Sequence, residues 1–182
     1  MARSTREYRK ERFAPRPTVA DPRRILLDAV LAFVGAASQL DGVIRITLIG
    51  SLATEKKIPK DADLVVLVDS AADLAALARA GRSLQGKAQR INLGADIFLA
   101  DIDGTYLGRT CAYRDCHARA DCRGTRCFPG SHLRTDFHVL RLPHDVIANP
   151  PVELWPNVIR YEAVPDDVEE LLLSRLGAAH AP

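Results

Sequence analysis

Two aspartates, Asp61 and Asp63, stand one residue apart at the mouth of the apolar run DADLVVLV, and a third, Asp96, lies in a later apolar run, ADIFLA. Residues two apart on a strand point to the same face, so Asp61 and Asp63 aim their carboxylates together. Unpaired, such anions repel one another. They are favourable when they share a divalent cation, because Mg²⁺ is held by hard oxygen ligands in twos and threes with phosphate oxygens completing its shell. If the Asp96 strand lies beside the Asp63 strand, three carboxylates converge.

The residues just upstream fit the same chemistry. The strand-like VIRITLI, Val43 to Ile49, ends in Gly50-Ser51, and nine residues separate Ser51 from Asp61. Glycine lets a backbone approach a ligand closely, and the N–H groups of a turn that opens a helix suit an anion. The Ser51 hydroxyl adds a donor, and Lys56, Lys57 and Lys60 add positive charge. A phosphate cradle on one side and metal-binding carboxylates on the other outline a nucleoside-triphosphate site. Read singly, PKDAD is a polar turn entering a strand and GS is a common pair. Asp96 sets the combination apart. A rival pair, Asp101 and Asp103 in ADIDGT, reads as a turn after a strand because Gly104 follows it.

These residues carry a resemblance. GS, then DAD after nine residues, then LVVLV and a strand aspartate in ADIFLA together resemble the nucleotidyltransferase superfamily typified by DNA polymerase β, and in particular its minimal members. The resemblance spans roughly Ile25 to Asp101. It implies that Asp61 and Asp63 hold Mg²⁺ or Mn²⁺, that Asp96 helps hold the catalytic metal and activates the attacking hydroxyl, and that Gly50 and Ser51 bind the triphosphate, with Lys60 beside them. Thr54 and Glu55 stand where many family members carry glycine. Ala62 fills a position where Ile or Leu is common.

All four cysteines fall in CAYRDCHARADCRGTRC, at Cys111, Cys116, Cys122 and Cys127, with His117, His132 and His138 nearby. The pattern C-x4-C-x5-C-x4-C can close a tetrahedral thiolate site, and the segment is too poor in aliphatic residues to build a core. The expectation is a structural Zn²⁺ on these four thiols. Unrelated reduced cysteines, a redox pair and disulfides are the alternatives. Arginines at positions 109, 114, 119, 123, 126 and 134 make the segment a candidate polyanion contact, partly cancelled by Asp115, Asp121 and Asp136.

The elements that must position these groups are readable from pattern. Asp21 is an N-cap and Pro22 a first helical residue, with Ile25, Leu26, Ala29, Val30, Phe33 and Val34 at helical spacing. Strands are expected at 43–49, 63–68 and 95–100, a helix over 71–84, and an amphipathic helix from about Asp166 to Leu176 stopped by Gly177. The order helix, strand, turn, strand, helix, strand predicts an α/β (α+β) core, helices on a small mixed sheet. The 182 residues suffice for one well-buried core but are short for two full domains. Residues 1–20 read as a flexible basic arm, 21–108 as the core, 109–140 as the cysteine-rich module, and 141–182 as a segment whose helix packs on the core. A net charge of +2 forces no nucleic-acid reading. The sequence shows neither a secretory signal nor a membrane-length apolar run, so a cytoplasmic location is expected.

The function these features predict is transfer of a nucleoside monophosphate from a triphosphate to a hydroxyl on a protein, RNA or small molecule, by a two-metal mechanism. The alternative is an inactive nucleotidyltransferase-like module that binds a protein or nucleic-acid partner through its zinc segment. A complete set of three carboxylates favours the enzyme.

Overall fold

The structure, a computed structural model, describes residues 21–112, 132–135, 137 and 140–179. Helix α1, Pro22–Ala37, starts where the Asp21 side chain accepts the Arg23 backbone N–H at 3.0 Å, with Pro22 in the first turn. Its apolar stripe, including Leu26, Leu27, Val30, Phe33 and Val34, is fully buried. Strand β1, Val43–Ile49, leads into a 3₁₀ turn at Gly50–Ala53, and β2 follows at Asp61–Val68. Helix α2, Leu74–Gln89, is capped by the Asp73 carboxylate accepting from the Ala76 N–H at 2.9 Å. Strands β3, Gly94–Ala100, and β4, Tyr106–Thr110, come next, then β5, Leu133–Arg134.

The C-terminal part adds a short helix α3, His144–Ala148, and strands β6, Val152–Trp155, and β7, Ile159–Arg160. It closes with α4, Asp166–Val168, a π-helical stretch at Glu169–Leu173 and α5, Ser174–Ala179. The last helix therefore runs past Gly177, the expected stop. An exposed glycine with nothing within 4 Å of where a Cβ would stand weakens a helix by about 1 kcal/mol and need not end it.

The strands form one mixed seven-stranded sheet among the described residues, ordered β5-β4-β3-β2-β1-β6-β7. β2 and β3 are parallel, joined through α2, while β1 pairs antiparallel with both β2 and β6. The mixed α+β architecture expected from the sequence is present, but the sheet is wider than three strands. It also runs on past residue 108, the expected end of the core, because Arg109 and Thr110 continue β4 and pair with Arg134 and Leu133.

The two faces of the sheet differ. One face, with Ile46, Leu48, Ala62, Leu64, Val66, Ile97 and Leu99, carries α1, α2 and the C-terminal helix in the main core. The other face bears a smaller cluster, Ile49, Val65, Leu67, Phe98 and Ala100, with Ile147 and the partly buried Leu140, Leu142 and Val146 against it. This second layer covers the far halves of β2 and β3. The starts of these two strands, which carry the three aspartates, lie beyond it.

Candidate functional site

The parallel register places Asp63 directly beside Asp96, and Asp61 beside Gly94. Since adjacent positions in paired strands share a face, Asp61, Asp63 and Asp96 stand on the thinly covered side of the sheet, at one end. Antiparallel pairing puts Ile49 opposite Asp63 from the other flank, so Gly50 and the turn after it border the carboxylates on the β1 side.

Two glycines make room for the acids. Gly50 has φ +72°, and a Cβ there would sit 2.4 Å from Asp63 Oδ2. The backbone of the turn thus lies against that carboxylate, in a conformation that side chains resist. A Cβ on Gly94 would meet Asp61 Oδ1 at 2.1 Å, so the Asp61 carboxylate occupies the space over β3 that a side chain would take.

The electrostatics centre on Asp63. Burial first, then the nearby charges of Asp96 and Asp61, push its carboxyl up from 3.8 to about 6, against a smaller lowering by Arg109. The direction is that of a carboxylate stripped of water and crowded by its own kind. Asp96 is the more open, its side chain 38% accessible, and its Oδ1 accepts from Arg109 Nη1 at 3.0 Å. Arg109 also lies over the Phe98 ring, 6.0 Å from the centroid.

The turn after Gly50 is fixed from the helix side. Arg23, on α1 and 7% exposed, donates to the carbonyls of Leu52 at 3.1 Å, Thr54 at 3.1 Å and Lys56 at 2.8 Å. The same guanidinium makes a two-pronged ion pair with Asp167, one prong 2.9 Å. Thr54 finishes the turn by donating its hydroxyl to the Ser51 carbonyl at 2.9 Å. A threonine thus has a specific task at the position where the resemblance leads one to expect glycine. The turn is a single 3₁₀ stretch of four residues and no longer helix follows it.

Of the other sequence-derived candidates, Ser51 is half-buried in this turn and Lys60 is exposed, one residue before β2 and out of phase with Asp61 and Asp63. The turn with Asp101 and Asp103 forms as expected, Asp101 Oδ1 accepting the N–H groups of Asp103 and Thr105 at 3.0 and 2.7 Å. Cys111 is 1% exposed just beyond β4, its N–H donating to the His132 carbonyl at 2.8 Å. Cys116, Cys122 and Cys127, and with them the expected zinc site, lie outside the described residues, as do His117 and His138.

Among the described residues, no group of three or more His, Cys, Asp or Glu side chains is assembled closely enough to hold a metal ion. The three aspartates nonetheless suit one in kind. They are hard oxygen donors on one face, Asp63 and Asp96 are paired neighbours, and the Asp63 carboxyl is raised by burial and then by the other two acids, a crowding of the kind a divalent cation offsets. Asp96 is held by Arg109.

Sequence reasoning missed Arg23, whose partners lie 29 to 144 positions away in the chain. It also assigned Arg109 to the cysteine-rich module, where its place in β4 was hidden among other arginines. A third omission is Glu153 on β6, paired with Thr47 of β1 and thus on the carboxylate face. It is 5% exposed, accepts from the Asn157 N–H and the Tyr161 hydroxyl, and is raised by burial against the lowering of Arg45.

Compared with known proteins, residues 3–122, more than half of the chain, match the model of a family described as "Family of unknown function (DUF6932)". No curated protein and no solved structure matches.

Proposed function

The chain belongs to this family of unknown function, and from its carboxylate end we propose that it is a metal-dependent nucleotidyltransferase with a nucleotidyltransferase-like core. The observation that carries this reading is the register of β2 and β3, which sets Asp63 beside Asp96 and Asp61 on one face against the Gly50 backbone. In the proposed reaction an acceptor hydroxyl oxygen bonds to the α-phosphorus of a nucleoside triphosphate. The bond from that phosphorus to the bridging oxygen breaks, and pyrophosphate leaves with its electron pair. Mg²⁺ or Mn²⁺, when bound, supplies charge neutralisation at the transferring phosphoryl group and acidifies the attacking hydroxyl.

Asp61 and Asp63 hold the metals in this reading. Asp96 ligates one of them and takes the proton from the hydroxyl. The Gly50 and Ser51 N–H groups and the Ser51 hydroxyl face the triphosphate, and Lys60 contributes only long-range positive charge, given its position. A structural zinc on Cys111, Cys116, Cys122 and Cys127 is proposed with it, on the sequence pattern.

The test is label transfer from α-³²P triphosphates into cell extract with Mg²⁺ or Mn²⁺, comparing wild type, Asp63→Asn and Asp103→Asn. Transfer by wild type and Asp103→Asn, and none by Asp63→Asn, supports the reading. Equal transfer by Asp63→Asn removes the carboxylates from the reaction and overturns this reading, and none by wild type returns the protein to the class of non-catalytic binding modules.

A further inference from the structure

We propose that the helix from Asp166 to Ala179 is a two-register device that positions the triphosphate turn, its π-helical stretch at Glu169–Leu173 deciding whether Asp167 meets Arg23. The word triphosphate rests on the nucleotidyltransferase reading; the register does not. The backbone stays helical at both junctions, Glu169 having φ −59° and ψ −52° and Ser174 φ −60° and ψ −36°. α4, the π stretch and α5 are therefore one helix with a bulge, an extra residue taken up where hydrogen bonds span i to i+5.

The bulge sets which side chains face the core. Leu172, Leu173 and Leu176 are buried, and Arg175 ties this half of the helix to Asp28 of α1 at 2.7 Å. An α-helix turns about 100° per residue. Continued backwards from Leu176 as a straight α-helix, Glu169 would stand about 20° from Leu176, inside the leucine stripe, and Asp167 about 180° away, on the far side. With one residue absorbed by the bulge, Val168 takes the place at about 20° and Asp167 moves to about 80°, the edge of the stripe. The structure has this second arrangement. Val168 is 0% exposed, Asp167 meets Arg23 through both prongs of their ion pair, and Glu169 stands off the core, where Arg160 donates to it at 2.6 and 2.5 Å.

The straight register would carry the Glu169 carboxylate into an apolar stripe, which is costly, so the bulge persists although π turns are rare. The two registers differ at the triphosphate turn. In the bulged one, Asp167 orients the guanidinium that donates to the carbonyls of Leu52, Thr54 and Lys56. In the straight one, Asp167 has swung away from it. Asp167 and Glu169 are thus positioning residues that act through Arg23, from the helical layer on the opposite face of the sheet from the carboxylates.

Variants of the full chain test this. Glu169→Leu puts an apolar side chain where the straight register needs one, so the helix should straighten and Asp167 should leave Arg23. Deleting Glu170, an exposed residue inside the bulge, straightens the helix with Val168 and Asp167 in place, so the contact should stay. The two changes combined should restore the contact that Glu169→Leu alone loses. The contact is read by NMR as slow exchange of the Arg23 Nε–H, and the turn by exchange of the Thr54 N–H, which donates to the Ser51 carbonyl at 3.4 Å. Glu169→Leu should lose protection at both sites and bind a non-hydrolysable triphosphate with Mg²⁺ about tenfold more weakly in calorimetry, while melting no lower than wild type. Glu169→Gln, which loses the ion pair with Arg160 but keeps a polar side chain, should match wild type. Protection retained in Glu169→Leu, protection lost on deleting Glu170, no rescue in the combination, or a Glu169→Leu chain that melts lower or does not fold overturns the device. Unchanged triphosphate affinity in Glu169→Leu overturns its link to the turn. The expected exchange pattern with no triphosphate bound by wild type overturns the nucleotidyltransferase reading and leaves the device standing.

Discussion

Folding places the Asp63 carboxyl where ionising it is unfavourable, because burial strips its water and Asp96 and Asp61 add like charge. The group titrates near 3.8 in its ordinary state and about 6 in the folded chain. Between those values the folded protein binds the extra proton, so this group's contribution to stability falls as pH rises from about 4 to 6. Above pH 6 the penalty is complete, about 2–3 kcal/mol by that shift. Asp63→Asn should therefore raise stability by roughly 1–3 kcal/mol at pH 8 and by almost nothing at pH 3.5, measured by urea unfolding at both values. The same variant should abolish label transfer. Sequence alone exposes these acids because a strand alternates every second residue, and Asp61 and Asp63 obey that period. Arg109 obeys it too, but its arginine-rich surroundings mask the alternation.

The turn at Gly50–Ala53 owes its shape to a helix distant from it in the chain, through the bonds of Arg23 to three carbonyls and to Asp167. Arg23→Ala would leave a half-buried carboxylate and three carbonyls without their donor. We expect a loss of about 3 kcal/mol in chemical denaturation. Triphosphate affinity should fall with it, because the turn loses its anchor. Asp167→Asn keeps the size and one acceptor, so its effect should be well under half as large. Gly50→Ala forces φ +72° on a side chain and sets its Cβ against Asp63 Oδ2. It should cost about 1–2 kcal/mol and shift the pH at which Asp63 titrates, followed by NMR. The helices and central strands were readable because caps and apolar periods are local signals: Asp21-Pro22 begins α1 and VIRITLI is β1. Strands β5 and β7, two residues each, are too short to show a period, and β6 takes its place only from pairing with β1, about a hundred residues earlier.

The described molecule is a two-faced sheet with a thick helical layer on one side and a partial layer on the other, and no helix of it is long and apolar enough to cross a membrane. Divalent cations should stabilise this whole assembly if they bind the folded carboxylates and not the unfolded chain. At a hundred times its dissociation constant, Mg²⁺ should add about 2.7 kcal/mol, seen as a rise in melting temperature that Asp63→Asn abolishes. Elemental analysis should find one zinc per chain, and its removal should leave the Mg²⁺-dependent rise intact. The expected zinc ligands are a sequence pattern, while the carboxylates sit on a separately cored sheet. That pattern raises the expectation of a metal but does not say how the segment meets the sheet, since such contacts depend on tertiary pairing.

Strand β1 lies between β2 and β6, and β6 is the last to be made of the three. A ribosome adding 5–20 residues per second takes about 5–20 s to travel from the end of β1 to the start of β6. Throughout that interval the nascent chain can zip β1 to β2 but leaves the other edge of β1 with unmet N–H and C=O groups, beside apolar residues. Slowing translation across this stretch lengthens that exposure. Holdase chaperones should therefore engage the nascent chain between these two strands, and recovery of soluble protein should depend on synthesis speed even though the finished fold is unchanged.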